Sequence, residues 1–112
     1  MSVISGTVAN GVVSLTIDAN SPLASVGNGA LVQTSSGNFL VARTGQGTFS
    51  ALSSVCTHEV CTIMGYQSQT FVCPCHGSEF NTSGKVTRGP AAASLRQFTT
   101  QFSNNVLTIS LA

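Results

Sequence analysis

An all-β fold is what this sequence predicts, on three observations. Short runs of β-branched and aromatic residues recur along the chain, Gly, Asn, Asp, Ser and Pro clusters punctuate them, and helical periodicity is absent. With 112 residues, 42% of them hydrophobic, the chain has the length of one domain with a modest core. The expected organisation is a single antiparallel β domain over residues 1–112, with a subdomain of two Cys/His loops inserted at about 55–91.

The elements follow in order. Val3, Ser5 and Val8, then Val12 to Ile17, read as strands broken by Gly6 and Gly11 and ended by the loop Asp18-Ala19-Asn20-Ser21-Pro22. Ala30 to Thr34 and Phe39 to Arg43 form a predicted hairpin about Ser35-Ser36-Gly37-Asn38, where Gly37 is free to supply a positive φ. Thr44 to Gly47 is a further turn and Thr48 to Leu52 a further strand. Beyond the central stretch, Leu95 to Phe102 and Val106 to Leu111 form a second hairpin joined by Ser103-Asn104-Asn105.

Charge excludes whole classes of function. Only 6% of residues are charged and the net charge is +1, so neither a nucleic-acid footprint nor a polybasic membrane patch exists. No window approaches the roughly 18 apolar residues of a membrane span, and MSVISGTVANG lacks the regions of a signal peptide. Membrane attachment is therefore expected only through a segment absent from this chain.

All four cysteines and both histidines lie between Cys56 and Pro90. One residue separates Cys56 from His58 and Cys73 from Cys75, and His76 follows directly. Thiolates and imidazoles at such spacing can converge on a metal from two short loops. Three readings compete on the residues alone. Structural zinc would use four of the six candidates, but the spacing is not the C-x2-C with H-x3-5-H common at such sites. Two disulfides with ordinary histidines would leave the clustering of both histidines beside cysteines unexplained. The third reading is a [2Fe-2S] centre held by two cysteines and two histidines.

Cys56-Thr57-His58-x-x-Cys61 followed by Cys73-Pro74-Cys75-His76-Gly77-Ser78 closely resembles the two cluster-binding boxes of Rieske iron-sulfur proteins. The likeness continues through Ser83-Gly84 and Gly89-Pro90-Ala91 and covers about a third of the chain. It implies a Rieske-type β domain of stacked sheets and one [2Fe-2S] cluster. It further implies that Cys56 and Cys73 bind one iron, and that His58 and His76 bind the outer one. In the family's high-potential, cytochrome bc-complex branch the residues matching Cys61 and Cys75 form a disulfide. Such a bond would restrict the unfolded chain by about 3 kcal/mol in the loop-entropy model and implies an oxidising compartment, periplasmic or exported.

The same resemblance assigns the surroundings. Neutral imidazoles in place of two thiolates raise the potential to about −150 to +300 mV, and their ring protons couple reduction to proton uptake at His58 and His76. Ser78 matches the serine that donates to a cluster sulfide. Phe80 stands where high-potential members usually carry a tyrosine, so one donor is lost. Gly77, Gly89 and Pro90 match segments that cover the cluster, and Glu59 replaces an apolar residue at the docking tip, which fits a quinone pocket poorly. Lys85 and Arg88 are the nearest cations and could steer an acidic partner.

The implied function is one-electron transfer, by a carrier and not by an enzyme in its own right. Its expected setting is the soluble domain of a quinol-oxidising bc-type subunit, with quinol and a c-type cytochrome among its redox partners. The alternatives are an exported carrier or small subunit of another oxidoreductase, such as an arsenite-oxidase-like enzyme, or a ferredoxin serving an oxygenase. A structural zinc domain is the remote alternative.

Overall fold

The computed structural model describes residues 1–56, 61–75 and 77–111. Twelve strands form among them: β1 (Ser2–Ser5), β2 (Thr7–Ala9), β3 (Val12–Thr16), β4 (Gly29–Thr34), β5 (Gly37–Arg43), β6 (Phe49–Ser53), β7 (Gly65–Gln67), β8 (Thr70–Val72), β9 (Glu79–Asn81), β10 (Val86–Arg88), β11 (Gln97–Ser103) and β12 (Val106–Ser110). The described residues contain no helix, as the missing 3.6-residue period predicted.

Eight strands lie in the order β1-β4-β5-β6-β11-β12-β3-β2, and the other four form a small sheet β10-β9-β8-β7. Two strands turn the corners of the large sheet. Gln97 and Phe98 of β11 pair with β6, whereas Thr99 to Ser103 pair with β12. At the other corner the chain runs through Gly6 from β1, on β4, to β2, on β3. A Cβ at Gly6 would meet Val13 Cγ1 at 2.9 Å and Val32 Cγ1 at 3.1 Å, so the crossing requires glycine. The result is two stacked sheets sharing their corner strands.

The sheets are antiparallel, as expected, except that β1 runs parallel to β4. The cause is the uninterrupted direction of residues 2–9. β2 is antiparallel to β3, and β1, which precedes it in the same direction, meets β4 of the opposite sheet in parallel.

β4, β5 and β6 are buried on both faces. Ala30, Val32, Phe39, Val41, Phe49 and Ala51 point into the sandwich with Val13, Leu15, Leu107 and Ile109. Leu31, Leu40, Ala42 and Leu52 point the other way, into a second core. This is why these strands read as near-continuous apolar runs, whereas β11, with one face open, alternates strictly.

Turns explain the remaining differences. Asn10-Gly11 and Asn104-Asn105 are two-residue hairpin turns with positive φ at both positions. The β4–β5 turn is tighter than expected, since Gly37 already pairs with Thr34 and carries a φ of 116°. Leu95 and Arg96 precede β11 and do not belong to it: Leu95 N–H donates to Gly84 O at 2.8 Å and its side chain is buried.

Candidate metal centre

The central stretch is more than two loops. Its small antiparallel sheet packs on the outer face of β4–β6, where Phe71, Phe80 and Ile63 are fully buried against Leu31, Leu40 and Leu52. Full burial of side chains of this kind contributes about 1.5–3 kcal/mol each. Cys56 and Cys73 belong to this same core, 4% and 1% exposed.

The first loop leaves β6 and returns to β7. Its base is a closed ladder: Ile63 N–H donates to Ser54 O at 2.7 Å, Val55 bridges Thr62, and Cys56 N–H donates to Cys61 O at 2.9 Å. Thr57, His58, Glu59 and Val60 follow from this base and lie outside the described residues. The second loop joins β8 to β9. Cys73 N–H donates to Ser78 O at 2.8 Å and Gly77 N–H to Cys73 O at 3.1 Å, with Gly77 at a φ of 78°. Glycine takes that left-handed conformation without the steric cost of a Cβ. His76 lies outside the described residues, so the histidine assignments and the proton coupling expected there do too.

The structure pairs Cys61 with Cys75 in a disulfide, with Cα atoms 6.6 Å apart, and so joins the two loops. Cys56 and Cys73 stand outside that bond, one at the base of each loop. By distance alone the tightest donor set is Cys61, Cys73 and Cys75, whose sulfurs all lie within 4.8 Å of one another. Chemistry overrides that grouping, because disulfide sulfurs carry no thiolate to bind iron. Two buried thiols on clamped loops fit an iron-sulfur cluster, and the sulfur-rich donor set suits iron.

Ser78 is fully buried, and its Oγ accepts from Ala91 N–H at 3.0 Å. The hydroxyl therefore keeps its own proton to donate. Ala91 is itself buried, while Gly89 and Pro90, joined by a cis peptide, are exposed. Phe80 is fully buried in the same core as both thiols. Arg88 faces Glu79, its Nη1 3.5 Å from Oε2, and Lys85 is exposed.

Two residues that support the site carry no motif. Tyr66, on β7, donates its hydroxyl to Gly27 O at 2.7 Å and packs against Phe71 in a tilted pair with ring centroids 4.7 Å apart. A Cβ at Gly29 would stand 2.9 Å from the Tyr66 ring, so glycine admits the ring against β4. Burial pushes the Tyr66 phenol up from 10.0. Arg43 donates to Leu23 O and Ala24 O at 3.1 and 2.9 Å and lies over the Phe49 and Phe102 rings. It fixes the 23–29 segment to which Tyr66 is strapped. A lone aromatic and a lone cation gave no sequence signal; a Tyr facing a Gly-x-Gly run was the available hint.

Comparison with known proteins agrees with this geometry. The family model for the Rieske [2Fe-2S] domain matches residues 17–99. The chain is 50% identical over 46 residues to the chloroplastic cytochrome b6-f complex iron-sulfur subunit of Pisum sativum, covering 40% of this chain and 20% of that protein. It is 41% identical over 73 residues to the corresponding subunit of Prochlorococcus marinus strain MIT 9215, covering 62% and 41%. The chain thus spans less than half the length of these relatives. Among solved structures, the plasma membrane Rieske protein PetC3 of Synechocystis PCC 6803 superposes with a TM-score of 0.65 at 36% identity, over 73% of this chain and 85% of that one. The carbazole 1,9a-dioxygenase oxygenase–ferredoxin complex matches at 0.69 and 22% identity, over 88% and 93%, a likeness of fold alone. The chain belongs to the Rieske [2Fe-2S] domain family.

Proposed function

We propose that residues 1–112 form a single Rieske domain, with its cluster-binding subdomain at about 55–91, that serves a quinol-oxidising bc-type complex. The observation that carries this reading is the Cys61–Cys75 disulfide between two loops that each present a buried thiol. That pair marks the high-potential branch in the resemblance drawn above. The cytochrome b6-f subunits among the relatives support the same setting.

Within this reading Cys56 and Cys73 hold one iron, and His58 and His76 hold the other. When bound, the cluster supplies a reversible one-electron change, with proton uptake at the imidazoles as the resemblance implies. The chain's residues do the rest. The two-sided core around Phe71 and Phe80 excludes water from the thiols. Ser78 stabilises added negative charge by donating its proton, and its lone pair holds Ala91, so that Gly89 and Pro90 stand over the site together with Gly77. Glu59, which the resemblance assigns to the docking tip, lies outside the described residues.

The partners are a quinol donor and a c-type cytochrome acceptor, and the chain acts as an electron-transfer subunit. The disulfide supports an oxidising, periplasmic or lumenal location. No helix among the described residues is long and apolar enough to cross a membrane. An EPR-monitored redox titration tests it. A midpoint in the upper half of the about −150 to +300 mV range is expected. One at the lower end would transfer the protein to the oxygenase-ferredoxin reading.

A further inference from the structure

The disulfide and the thiol of Cys73 are close enough to react. The sulfurs of Cys61, Cys73 and Cys75 lie within 4.8 Å of one another, whereas Cys56 does not belong to this group. A disulfide needs about 2.0 Å between sulfurs, so a side-chain rotation of Cys73 closes most of the gap. No loop has to move far, because the backbone bonds from Cys73 to Ser78 and Gly77 already fold this turn.

We propose that in the chain lacking its cluster Cys73 attacks Cys61, and the disulfide migrates from Cys61–Cys75 to Cys61–Cys73. The Cys73 thiol gives its proton to water and its sulfur bonds to Cys61 Sγ. The Cys61–Cys75 bond breaks, its electron pair leaves on Cys75 Sγ, and that sulfur takes a proton from water. Among these three cysteines one disulfide and one thiol are present before and after, so no outside oxidant or reductant is required. Attack at Cys61 is favoured over attack at Cys75 on two grounds. The sulfur released is then the exposed Cys75, where water hydrates the leaving thiolate. The alternative would close a strained ring across Pro74 alone.

The consequence rests on the ligand reading given above. A chain whose Cys73 is in a disulfide has lost one of its four ligands, and a chain whose Cys73 holds iron has no nucleophile to lose. Disulfide position and cluster loading therefore exclude each other. Cys61 and Cys75 act as a clamp only after Cys73 has been captured; oxidation before loading traps the chain in an unloadable form until a thiol reductant reverses it.

The test maps the disulfide in the full chain. One sample keeps its cluster; another is stripped anaerobically with a chelator, without added thiol, and held at mildly alkaline pH. Both are quenched in acid, alkylated and digested, and fragmentation at Pro74 separates Cys73 from Cys75. The stripped chain is expected to accumulate Cys61–Cys73 with Cys75 and Cys56 alkylated, and to lose reconstitution with iron and sulfide until a reductant is added. The loaded chain is expected to keep Cys61–Cys75. Cys56→Ser, which retains the three clustered sulfurs, is expected to show the migration without stripping. Retention of Cys61–Cys75 in every sample would overturn the proposal, as would equal capture of Cys56 and Cys73, the signature of scrambling in an unfolded chain. The ligand reading fails separately, if Cys73→Ser binds a full complement of iron.

Discussion

Ser78 Oγ accepts the Ala91 N–H at 3.0 Å across thirteen residues, and both residues are buried. One hydroxyl thus holds Ala91 through its lone pair, and on the proposed function its proton serves the site. Ser78→Ala removes both at once. A buried N–H left without its acceptor costs about 1–3 kcal/mol, so a drop in melting temperature is expected together with a lower midpoint potential. Thermal melts and redox titration on one preparation check the pair. A lower melting temperature at an unchanged potential would confine Ser78 to holding Ala91.

Phe80 offers the complementary experiment. It is fully buried beside Phe71, Cys56 and Cys73, so a hydroxyl introduced by Phe80→Tyr must find an acceptor in that core. The expected acceptor is a cysteine sulfur, and the expected result is a higher potential. A destabilised protein with an unaltered potential would mean that the hydroxyl points elsewhere.

Gly84→Ala should be among the most damaging small changes. Gly84 is buried at a φ of 85°, and an added Cβ would stand 2.9 Å from Leu95 O and 3.2 Å from Leu52 Cδ2. The left-handed conformation alone costs a non-glycine residue about 1–2 kcal/mol, and the clash strains the Leu95 N–H to Gly84 O bond. Denaturant unfolding is expected to show a loss of at least about 2 kcal/mol. Gly47→Ala, with nothing within 4 Å of its Cβ, serves as the neutral control.

Tyr66 gives the protein an alkaline limit. Burial raises the phenol above its value of 10.0, so the folded state keeps a proton that the unfolded state releases. Stability from this group is complete below pH 10.0 and declines as pH rises from there through the folded value. As the chain has one tyrosine and no tryptophan, the phenolate absorbance reports this residue alone. Its titration should fall above 10.0, and Tyr66→Phe should flatten the alkaline loss while lowering stability at neutral pH through the missing bond to Gly27.

The physics of turns explains what was legible in the chain. Gly11 marked a break between strands and Asn104-Asn105 a hairpin, because such residues tolerate positive φ. Ser68-Gln69 makes the same kind of turn, at 51° and 61°, with no such residue, and it joins three-residue strands too short to show alternation. The small sheet was therefore hidden although the cysteines it carries were conspicuous. Gly6 read as a break and is instead the crossing between sheets, since a sequence does not tell a gap from a close approach. The cysteine-bearing boxes were plain for the opposite reason: spacing within a tight loop is a local property. What holds those boxes, Tyr66 on Gly27 and Arg43 on Leu23 and Ala24, joins residues 39, 20 and 19 positions apart.

β4, β5 and β6 lend one face to each core. Leu31, Leu40 and Leu52 cannot be uncovered by a loosening of the small sheet without wetting strands that also line the sandwich, and damage to the sandwich reaches Cys56 and Cys73 through the same three strands. On the proposed ligand set, iron retention is expected to be a property of the whole domain. Substitutions at Val32 or Val41, far from any sulfur, should bleach the protein as they melt it, and colour loss and unfolding should trace a single curve.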